Sequence, residues 1–185
     1  YFYVMRNIML IFFILILSCK SENEEVVAIN EDQKKADMNS SLADQNPILE
    51  IYDFDGLETY LNKKDDKTYV INFWATWCGP CIKELPYFEK INEDFQKHNV
   101  EVILVSLDFP SKYDTHLKPY IKKNKLASKV VALNDTDSNT WIPKVDENWS
   151  GAIPATIIYN KDKRKFYEQS FKYDELEREV EQFLK

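Results

Sequence analysis

From residue 48 onward, apolar residues recur in two alternating patterns along the chain. Short apolar runs predict β-strands, whereas apolar residues spaced three or four positions apart predict amphipathic helices. The strand-like runs are Ile48–Phe54, Tyr69–Ala75, Val100–Leu107, Lys129–Leu133, Ala155–Tyr159 and Lys165–Gln169. The helix-like stripes are Leu57–Leu61, Cys81–Phe95, Pro119–Leu126 and Tyr173–Leu184. This alternation of strands and helices predicts a three-layer α/β sandwich.

The run Tyr69–Ala75 is mostly apolar, which is typical of a central strand buried on both faces. Val100–Leu107 has the same character and is expected to be a second buried strand. Between them, the stripe that begins at Cys81 predicts a helix that ends near His98. The strand Tyr69–Ala75 is therefore expected to turn directly into a helix.

The N-terminal segment has the composition of a signal peptide. A basic residue, Arg6, precedes the ten-residue apolar run Ile8–Leu17, which is shorter than the roughly 20 residues that span a bilayer. A signal anchor that stays in the membrane is the alternative. The residues before Cys19 resemble the lipobox of bacterial lipoproteins, and this resemblance implies a signal peptide over residues 1–18 and lipid attachment at Cys19. An N-terminal cysteine with several acyl chains would hold the protein on a membrane.

Residues 19–46 differ in composition from the rest of the chain. From Lys20 to Asn46 there are seven acidic and three basic residues and no aromatic residue. Such a segment cannot bury enough apolar surface to fold, so we interpret it as a lipid-anchored acidic tether. The domain proper is expected to cover residues 47–185.

Composition and charge narrow the class of protein. The chain has 185 residues, of which 44% are hydrophobic, and a formal net charge of −7. This size and apolar content fit one globular domain. The acidic balance argues against nucleic acid as a partner, because a nucleic-acid interface needs a basic face. Three cysteines are too few for a disulfide-stapled scaffold, and we predict no cofactor.

Candidate redox chemistry lies at Cys78 and Cys81, which have two residues between them. Cys78 falls where the predicted strand turns into a helix, and a helix N-terminus stabilises a thiolate. Cys78 is therefore the predicted nucleophile and Cys81, one turn further, the resolving thiol. A zinc site and a purely structural disulfide are the alternatives. Zinc would need further ligands, and His98 and His116, the two histidines, lie in unrelated settings.

The segment Val70–Cys81, continued by Glu84 and Pro86, resembles the thioredoxin superfamily. It is most similar to the TlpA/ResA-like thiol–disulfide oxidoreductases, and the resemblance covers roughly residues 48–185. This resemblance implies a thioredoxin-like three-layer α/β/α sandwich with a central mixed β-sheet. It also implies an extracytoplasmic enzyme that exchanges thiols and disulfides with protein substrates.

The segment Gly151–Thr156 resembles the cis-proline loop of the same superfamily. By that resemblance the peptide bond before Pro154 is cis, and the backbone of Ile153 pairs with an extended substrate. The remaining predicted substrate-binding residues are Trp77, Gly79 and Pro80. Trp74 also flanks the cysteines, and a core role is the alternative for it. For Trp141–Trp149 two interpretations stay open, namely a wall of the substrate groove and a core role.

Two polar positions distinguish the TlpA/ResA-like branch from the cytosolic thioredoxins. Cytosolic thioredoxins carry a buried aspartate on the strand before the active site, and the matching residue here is Asn72, which cannot titrate. In the TlpA/ResA-like branch a glutamate follows the second cysteine by three residues, and Glu84 occupies that place. The resemblance implies proton transfer and tuning of the cysteine pair by Glu84. A solvated surface glutamate is the alternative.

The resemblance implies that the enzyme reduces protein disulfides with electrons from a membrane-embedded thiol donor. The family roles that the resemblance implies are cytochrome c maturation and general thiol maintenance. Both take place in the bacterial cell envelope. A redox-inactive interaction module and a disulfide oxidase or isomerase are the alternatives. A peroxidase is disfavoured, because the P-x-x-x-T-x-x-C pattern of peroxiredoxins is absent around Cys78.

Overall fold

The computed structural model describes residues 48–184, which form a six-stranded sheet flanked by helices. The strands are β1 (Glu50–Tyr52), β2 (Thr68–Trp74), β3 (Val100–Ser106), β4 (Lys129–Leu133), β5 (Ala155–Tyr159) and β6 (Arg164–Tyr167). Their order across the sheet is β1-β4-β3-β2-β5-β6. The first four positions are mutually parallel, and β5 runs antiparallel to both of its neighbours. The predicted mixed central sheet is thereby confirmed.

Five α-helices cover the two faces of this sheet. They are α1 (Phe54–Leu61), α2 (Gly79–Phe95), α3 (Lys118–Asn124), α4 (Ser138–Val145) and α5 (Tyr173–Glu181). Buried side chains of α2, α3 and α5 form one hydrophobic cluster, and those of α1 and α4 form another. The chain therefore folds as the predicted three-layer α/β/α sandwich.

Strand β2 lies at the centre of the sheet and is buried over its whole length. It pairs with β3 on one side and β5 on the other. Because successive side chains of a strand point to opposite faces, Val70 and Trp74 enter the first cluster and Ile71 and Phe73 the second. The mostly apolar run in the sequence corresponds to this two-sided burial.

The first predicted strand is shorter than expected. The strand ends at Tyr52, and Phe54, which was expected to be its last residue, is the first residue of α1. Asp53 lies between them as the helix N-cap, and its side chain accepts a hydrogen bond of 2.9 Å from the amide of Gly56. Phe54 and Leu57 then pack together in the second cluster.

Helical structure between β3 and β4 begins earlier than the sequence predicts. A 3₁₀ turn at Pro110–Lys112 and a π-turn at Tyr113–Leu117 lead directly into α3. Tyr113, Leu117 and Ile121 are all buried in the first cluster at four-residue spacing. Pro119 therefore lies inside a continuous helical segment, although it is in the first turn of α3 itself.

Candidate active site

The two cysteines lie where β2 leads into α2. Cys78 is the N-cap of α2, and its sulfur accepts a hydrogen bond of 3.3 Å from the amide of Cys81. The Cys78 carbonyl accepts the first helical hydrogen bond, 3.0 Å from the amide of Ile82. Pro80 fits the first turn because it needs no hydrogen-bond acceptor there. The free amides and dipole of this helix end favour negative charge at the Cys78 sulfur.

Cys78 and Cys81 form a disulfide, with their Cα atoms 5.3 Å apart. Cys78 retains 5% of its accessible surface, whereas Cys81 is fully buried at 0%. Cys78 is thus the more accessible residue of the pair. The roles of nucleophile and resolving thiol stay predictions.

The predicted cis-proline loop lies against the disulfide. The Ile153–Pro154 peptide bond is cis, and the Ile153 carbonyl oxygen is 3.8 Å from the Cys78 sulfur. Gly151 precedes this bond with a φ of 92°, which is strained for any other residue. Pro154 is buried and Ile153, whose carbonyl lies beside Cys78, is half-buried.

Glu84 is buried beneath the site, with 1% of its surface accessible. One carboxyl oxygen accepts a hydrogen bond of 3.0 Å from the Asn72 side chain. The other accepts bonds of 2.9 Å from the Ser170 hydroxyl and 2.7 Å from the Phe171 amide. The alternative of a solvated surface glutamate is therefore wrong, because the segment before α5 covers this face of α2.

Burial and hydrogen bonding shift the pKa of Glu84 in opposite directions. Loss of hydration disfavours the carboxylate, whereas the bonds from Phe171, Ser170 and Asn72 favour it. Burial is the larger effect and raises the pKa of Glu84. The carboxyl group thus holds its proton at a higher pH than an ordinary glutamate does, one helical turn after Cys81.

Asn72 connects Glu84 to the sheet. Its side-chain amide donates to Glu84 and also, over 3.1 Å, to the hydroxyl of Thr156 on β5. Among the residues that the structure describes, the buried Asn72 Oδ1 has no hydrogen-bond partner. A neutral amide here satisfies the carboxyl without adding a second titrating group.

Asp108 belongs to the site but was not identified from the sequence. It is buried just after β3, and its carboxylate accepts hydrogen bonds of 2.9 Å from the Thr76 amide and the Ser106 hydroxyl. The Thr76 hydroxyl donates to the second carboxylate oxygen. Asp108 therefore fixes the turn between β2 and α2. Its position could have suggested this, because parallel strands end at the same edge of a sheet.

The tryptophans divide between surface and core. Trp77, next to Cys78 in the chain, is 58% exposed, and its contact with substrate stays a prediction. Trp74 is fully buried in the first cluster, and its ring lies 5.5 Å from that of Tyr120. Trp141 and Trp149 are buried in the second cluster, so the structure favours a core role over a groove wall for both.

The other predicted site residues fall in two groups. Gly79 and Pro80 are exposed on the first turn of α2, next to Cys78. Cys19 and the N-terminal segment lie outside the described residues. Within residues 48–184 no three His, Cys, Asp or Glu side chains are arranged to hold a metal. Over the same range no helix is long and apolar enough to cross a membrane.

Comparison with known proteins gives a family match and several relatives. The model of the AhpC/TSA family matches residues 42–164. The chain is similar to the thiol-disulfide oxidoreductase ResA of Bacillus thuringiensis subsp. konkukian (strain 97-27). The two are 28% identical over 139 residues, which are 75% of this chain and 74% of that protein.

Two solved structures illustrate the likeness of fold. A secreted thiol-disulfide isomerase from Corynebacterium glutamicum superposes with a TM-score of 0.56 at 16% identity, covering 69% of this chain and 74% of that one. A thioredoxin-related protein from Neisseria meningitidis serogroup B gives 0.55 at 22% identity, covering 64% and 86%. At these identities the likeness supports the thioredoxin-like fold alone.

Proposed function

Because the chain belongs to the AhpC/TSA family and is a thiol-disulfide oxidoreductase of thioredoxin fold, we propose that it reduces protein disulfides outside the cytoplasm. The observation that carries the proposal is the placement of the disulfide. The sulfur of Cys78, the more accessible cysteine of the pair, lies at a helix N-terminus and 3.8 Å from the Ile153 carbonyl. This arrangement provides a reactive sulfur and a backbone edge for a polypeptide at the same place.

The proposed reaction begins with the reduced pair. The Cys78 thiolate attacks one sulfur of the substrate disulfide, so that a mixed disulfide forms and the other substrate sulfur leaves with the electron pair and takes up a proton. Cys81 then loses its proton and attacks the Cys78 sulfur. The second substrate thiol is released, two electrons have passed to the substrate, and the Cys78–Cys81 disulfide remains.

Glu84 is the proposed proton-transfer and tuning residue of this cycle. It lies one turn after Cys81 on α2, where i and i+3 side chains lie on the same face. Because burial raises its pKa, its carboxyl group binds and releases a proton at a higher pH than an ordinary glutamate does. Trp77, Gly79 and Pro80 surround Cys78 and are the proposed contacts for the substrate, together with the backbone at Ile153 and Pro154.

The direction of electron flow is proposed from the active-site sequence. Cys78-Gly79-Pro80-Cys81 has the same two central residues as reducing thioredoxins, so we propose reduction, with a membrane-embedded thiol protein as electron donor. Cytochrome c maturation and general thiol maintenance are the two roles that fit this direction. Oxidation of substrates would require the opposite redox preference from the same cysteines, whereas isomerisation would transfer no net electrons.

The cysteine roles predict which variant traps a substrate. Cys81→Ser should accumulate mixed disulfides in cells, because Cys78 still attacks and nothing resolves the product. Cys78→Ser should trap few or none. The measurement is the yield of thiol-sensitive complexes on non-reducing gels, with mass spectrometry of the captured proteins. Equal capture by both variants would contradict the assigned roles, and failure of the native protein to reduce insulin would favour a redox-inactive module.

Localisation in the cell envelope through a lipid on Cys19 is part of the proposal. The supporting features are the apolar run Ile8–Leu17, the lipobox-like residues before Cys19 and the acidic composition of residues 19–46. Cys19→Ala should abolish incorporation of radiolabelled fatty acid, whereas Cys81→Ser should not. Unchanged labelling in Cys19→Ala would rule out this anchor.

A further inference from the structure

A surface groove lies beside the disulfide, on the side away from the cis-proline loop. Its volume is about 470 Å³, and its lining residues come from the turn after β2 and from the helical segment after β3. They are Thr76, Trp77, Asp108, Phe109, Lys112, His116 and Tyr120. No step of the proposed thiol exchange uses Phe109, Lys112 or His116.

Two aromatic side chains stand exposed at this groove. Trp77 is 58% and Phe109 is 65% exposed, and both belong to the small set of large apolar side chains that are exposed within residues 48–184. Neither ring stacks on another aromatic ring in that part of the chain. Exposed apolar side chains that lie together beside a reactive sulfur are typical of a binding surface.

The floor of the groove is rigid. Asp108 holds Thr76 through its amide and its hydroxyl, and holds the hydroxyl of Ser106 as well. Phe109 adopts an extended backbone, φ −64° and ψ 145°, which the following Pro110 favours. The two aromatic side chains are therefore presented on a preformed backbone, so binding does not have to order it.

The rim of the groove carries positive charge on an acidic protein. Lys112 is exposed, and within the described residues no ion pair involves it. The one acidic side chain in the lining, that of Asp108, is buried, and its oxygens are already hydrogen-bonded. Lys112 therefore gives this rim a positive charge with no accessible carboxylate in the lining to compete for it, which favours a carboxylate on the ligand.

The sheet order places the groove and the cis-proline loop on opposite sides of Cys78. Strand β3, which leads to Phe109, pairs with one edge of β2, and β5, which follows Pro154, pairs with the other. Trp77, which precedes Cys78 in the chain, lines the groove. The groove therefore adjoins the position where the cysteine of a substrate would meet Cys78.

We propose that this groove binds the substrate segment that adjoins the reactive cysteine, and that it selects a large apolar or aromatic side chain next to a carboxylate. The side chain packs between Trp77 and Phe109, and the carboxylate pairs with Lys112. This inference rests on the proposed function for the identity of the occupant, which is a disulfide-containing polypeptide. The groove would make the enzyme selective among such substrates.

The test measures binding without any redox step. Three peptides carry serine in place of the reactive cysteine. This serine is flanked on both sides by Phe-Glu in the first peptide, by Phe-Lys in the second and by Ser-Ser in the third. Each is titrated into the oxidised, ¹⁵N-labelled protein, and dissociation constants are taken from NMR chemical-shift changes. We expect the Phe-Glu peptide to bind about tenfold more tightly than the Ser-Ser peptide, with shifts at the Trp77 indole and the Phe109 amide.

Two variants and two matched controls locate the preference. Phe109→Ala should remove most of the tenfold difference between the Phe-Glu and Ser-Ser peptides. The native protein should bind Phe-Glu about threefold more tightly than Phe-Lys, a small factor because an exposed ion pair is weak. Lys112→Glu should reverse this preference, because it reverses the charge at the groove. Ile48→Ala removes an exposed apolar side chain at the other end of the sheet, and Lys123→Glu makes the same charge change on α3. Both controls should keep the native preferences.

Equal binding of the three peptides by the native protein would overturn the proposal, as would native preferences in Phe109→Ala and Lys112→Glu. Absence of peptide binding together with a diffusion coefficient that rises in Phe109→Ala would also overturn it, because the groove would then be an interface between copies of the chain. Because the peptides lack cysteine, these outcomes are independent of insulin reduction. Failure of the proposed function is therefore distinguishable from failure of the groove assignment.

Discussion

At the scale of single residues, Glu84 has the environment furthest from that of a typical glutamate. Its carboxyl group is buried, three donors contact its oxygens, and the effects that set its pKa include no neighbouring cation. Because burial opposes the charge more strongly than the donors favour it, the pKa is raised. The side chain can therefore exchange a proton closer to neutral pH than a solvated glutamate.

Glu84→Gln is expected to remove a pH-dependent part of the stability of the oxidised protein. The folded-state pKa of Glu84 is raised above 4.5, so its contribution is fully present below that pH and is lost as pH rises through the raised value. The free energy of unfolding of the native protein should therefore fall relative to that of the variant as the pH rises from 4.5 through the raised folded-state value. Each pKa unit by which the folded-state value exceeds the unfolded-state value changes the free energy of unfolding by about 1.4 kcal/mol.

Urea denaturation followed by tryptophan fluorescence at a series of pH values measures this difference. Other acidic groups are the same in both proteins and cancel in the comparison. The control is Glu58→Gln, which changes an exposed glutamate of α1 and should give a curve parallel to the native one. Parallel curves for Glu84→Gln as well would show that its carboxyl titrates normally.

The residues of the site could be predicted to different extents. Cys78, Cys81 and Pro154 stand in local motifs, so the sequence alone indicates them. The burial of Glu84 depends on Ser170 and Phe171, which are 86 and 87 positions away, and no local pattern encodes such a contact.

At the scale of elements, the loop between α4 and β5 is held by contacts of two adjacent residues, Trp149 and Ser150. The Trp149 indole donates a hydrogen bond of 2.8 Å to the Ala152 carbonyl, and its ring lies 4.8 Å from that of Phe73 on β2. The amide and hydroxyl of the next residue, Ser150, both donate to Glu168 after β6. These contacts fix the backbone that leads into Ile153 and Pro154.

Trp149→Phe should loosen this loop while keeping an aromatic ring in the core. The Ala152 carbonyl loses its indole donor, and we expect the free energy of unfolding to fall by about 1–3 kcal/mol. Because the loop presents the backbone at Ile153, KM for insulin should rise more than kcat falls. Urea denaturation and steady-state kinetics measure the two effects.

The matched control for this prediction is Trp77→Phe. Trp77 is 58% exposed, so its replacement should change the free energy of unfolding by less than about 0.5 kcal/mol. A loss of stability from Trp77→Phe as large as that from Trp149→Phe would contradict the role given to the Trp149 hydrogen bond.

The elements themselves were predictable where one pattern dominates. The bounds of β4 and β5 agree with the predicted runs, because each is a short apolar segment between polar turns. Helix α4 was not predicted, since Pro143 lies inside it and only Trp141 and Val145 are buried. The π-turn at Tyr113–Leu117 was also missed, because its register differs from that of an ordinary helix.

At the scale of the whole molecule, the sheet separates two cores. Leu176 on α5 is fully buried in the cluster with α2 and α3, and Leu57 on α1 is fully buried in the cluster with α4. The active-site helix is supported by the first core, and the cis-proline loop, through Trp149, by the second. The catalytic arrangement therefore depends on both faces of one sheet.

Leu57→Ala and Leu176→Ala should each lower the free energy of unfolding by about 2–5 kcal/mol, because each leaves a cavity in a packed core. Since the two side chains share no cluster, the double variant should lose the sum of the single losses to within about 0.5 kcal/mol. Urea denaturation of the four proteins measures this double-mutant cycle. A coupling energy above about 1 kcal/mol would contradict the independence of the two cores.

The contacts of Glu84 also have a consequence for the order of events during synthesis. A ribosome makes the chain from its N-terminus, so Cys78, Cys81 and Glu84 emerge well before Ser170 and Phe171, which cover the carboxyl. Until those last residues arrive, Glu84 remains hydrated and behaves as an ordinary acid. A nascent or C-terminally cleaved chain that ends before Ser170 therefore has its cysteine pair one helical turn from a hydrated carboxyl group rather than from a buried one.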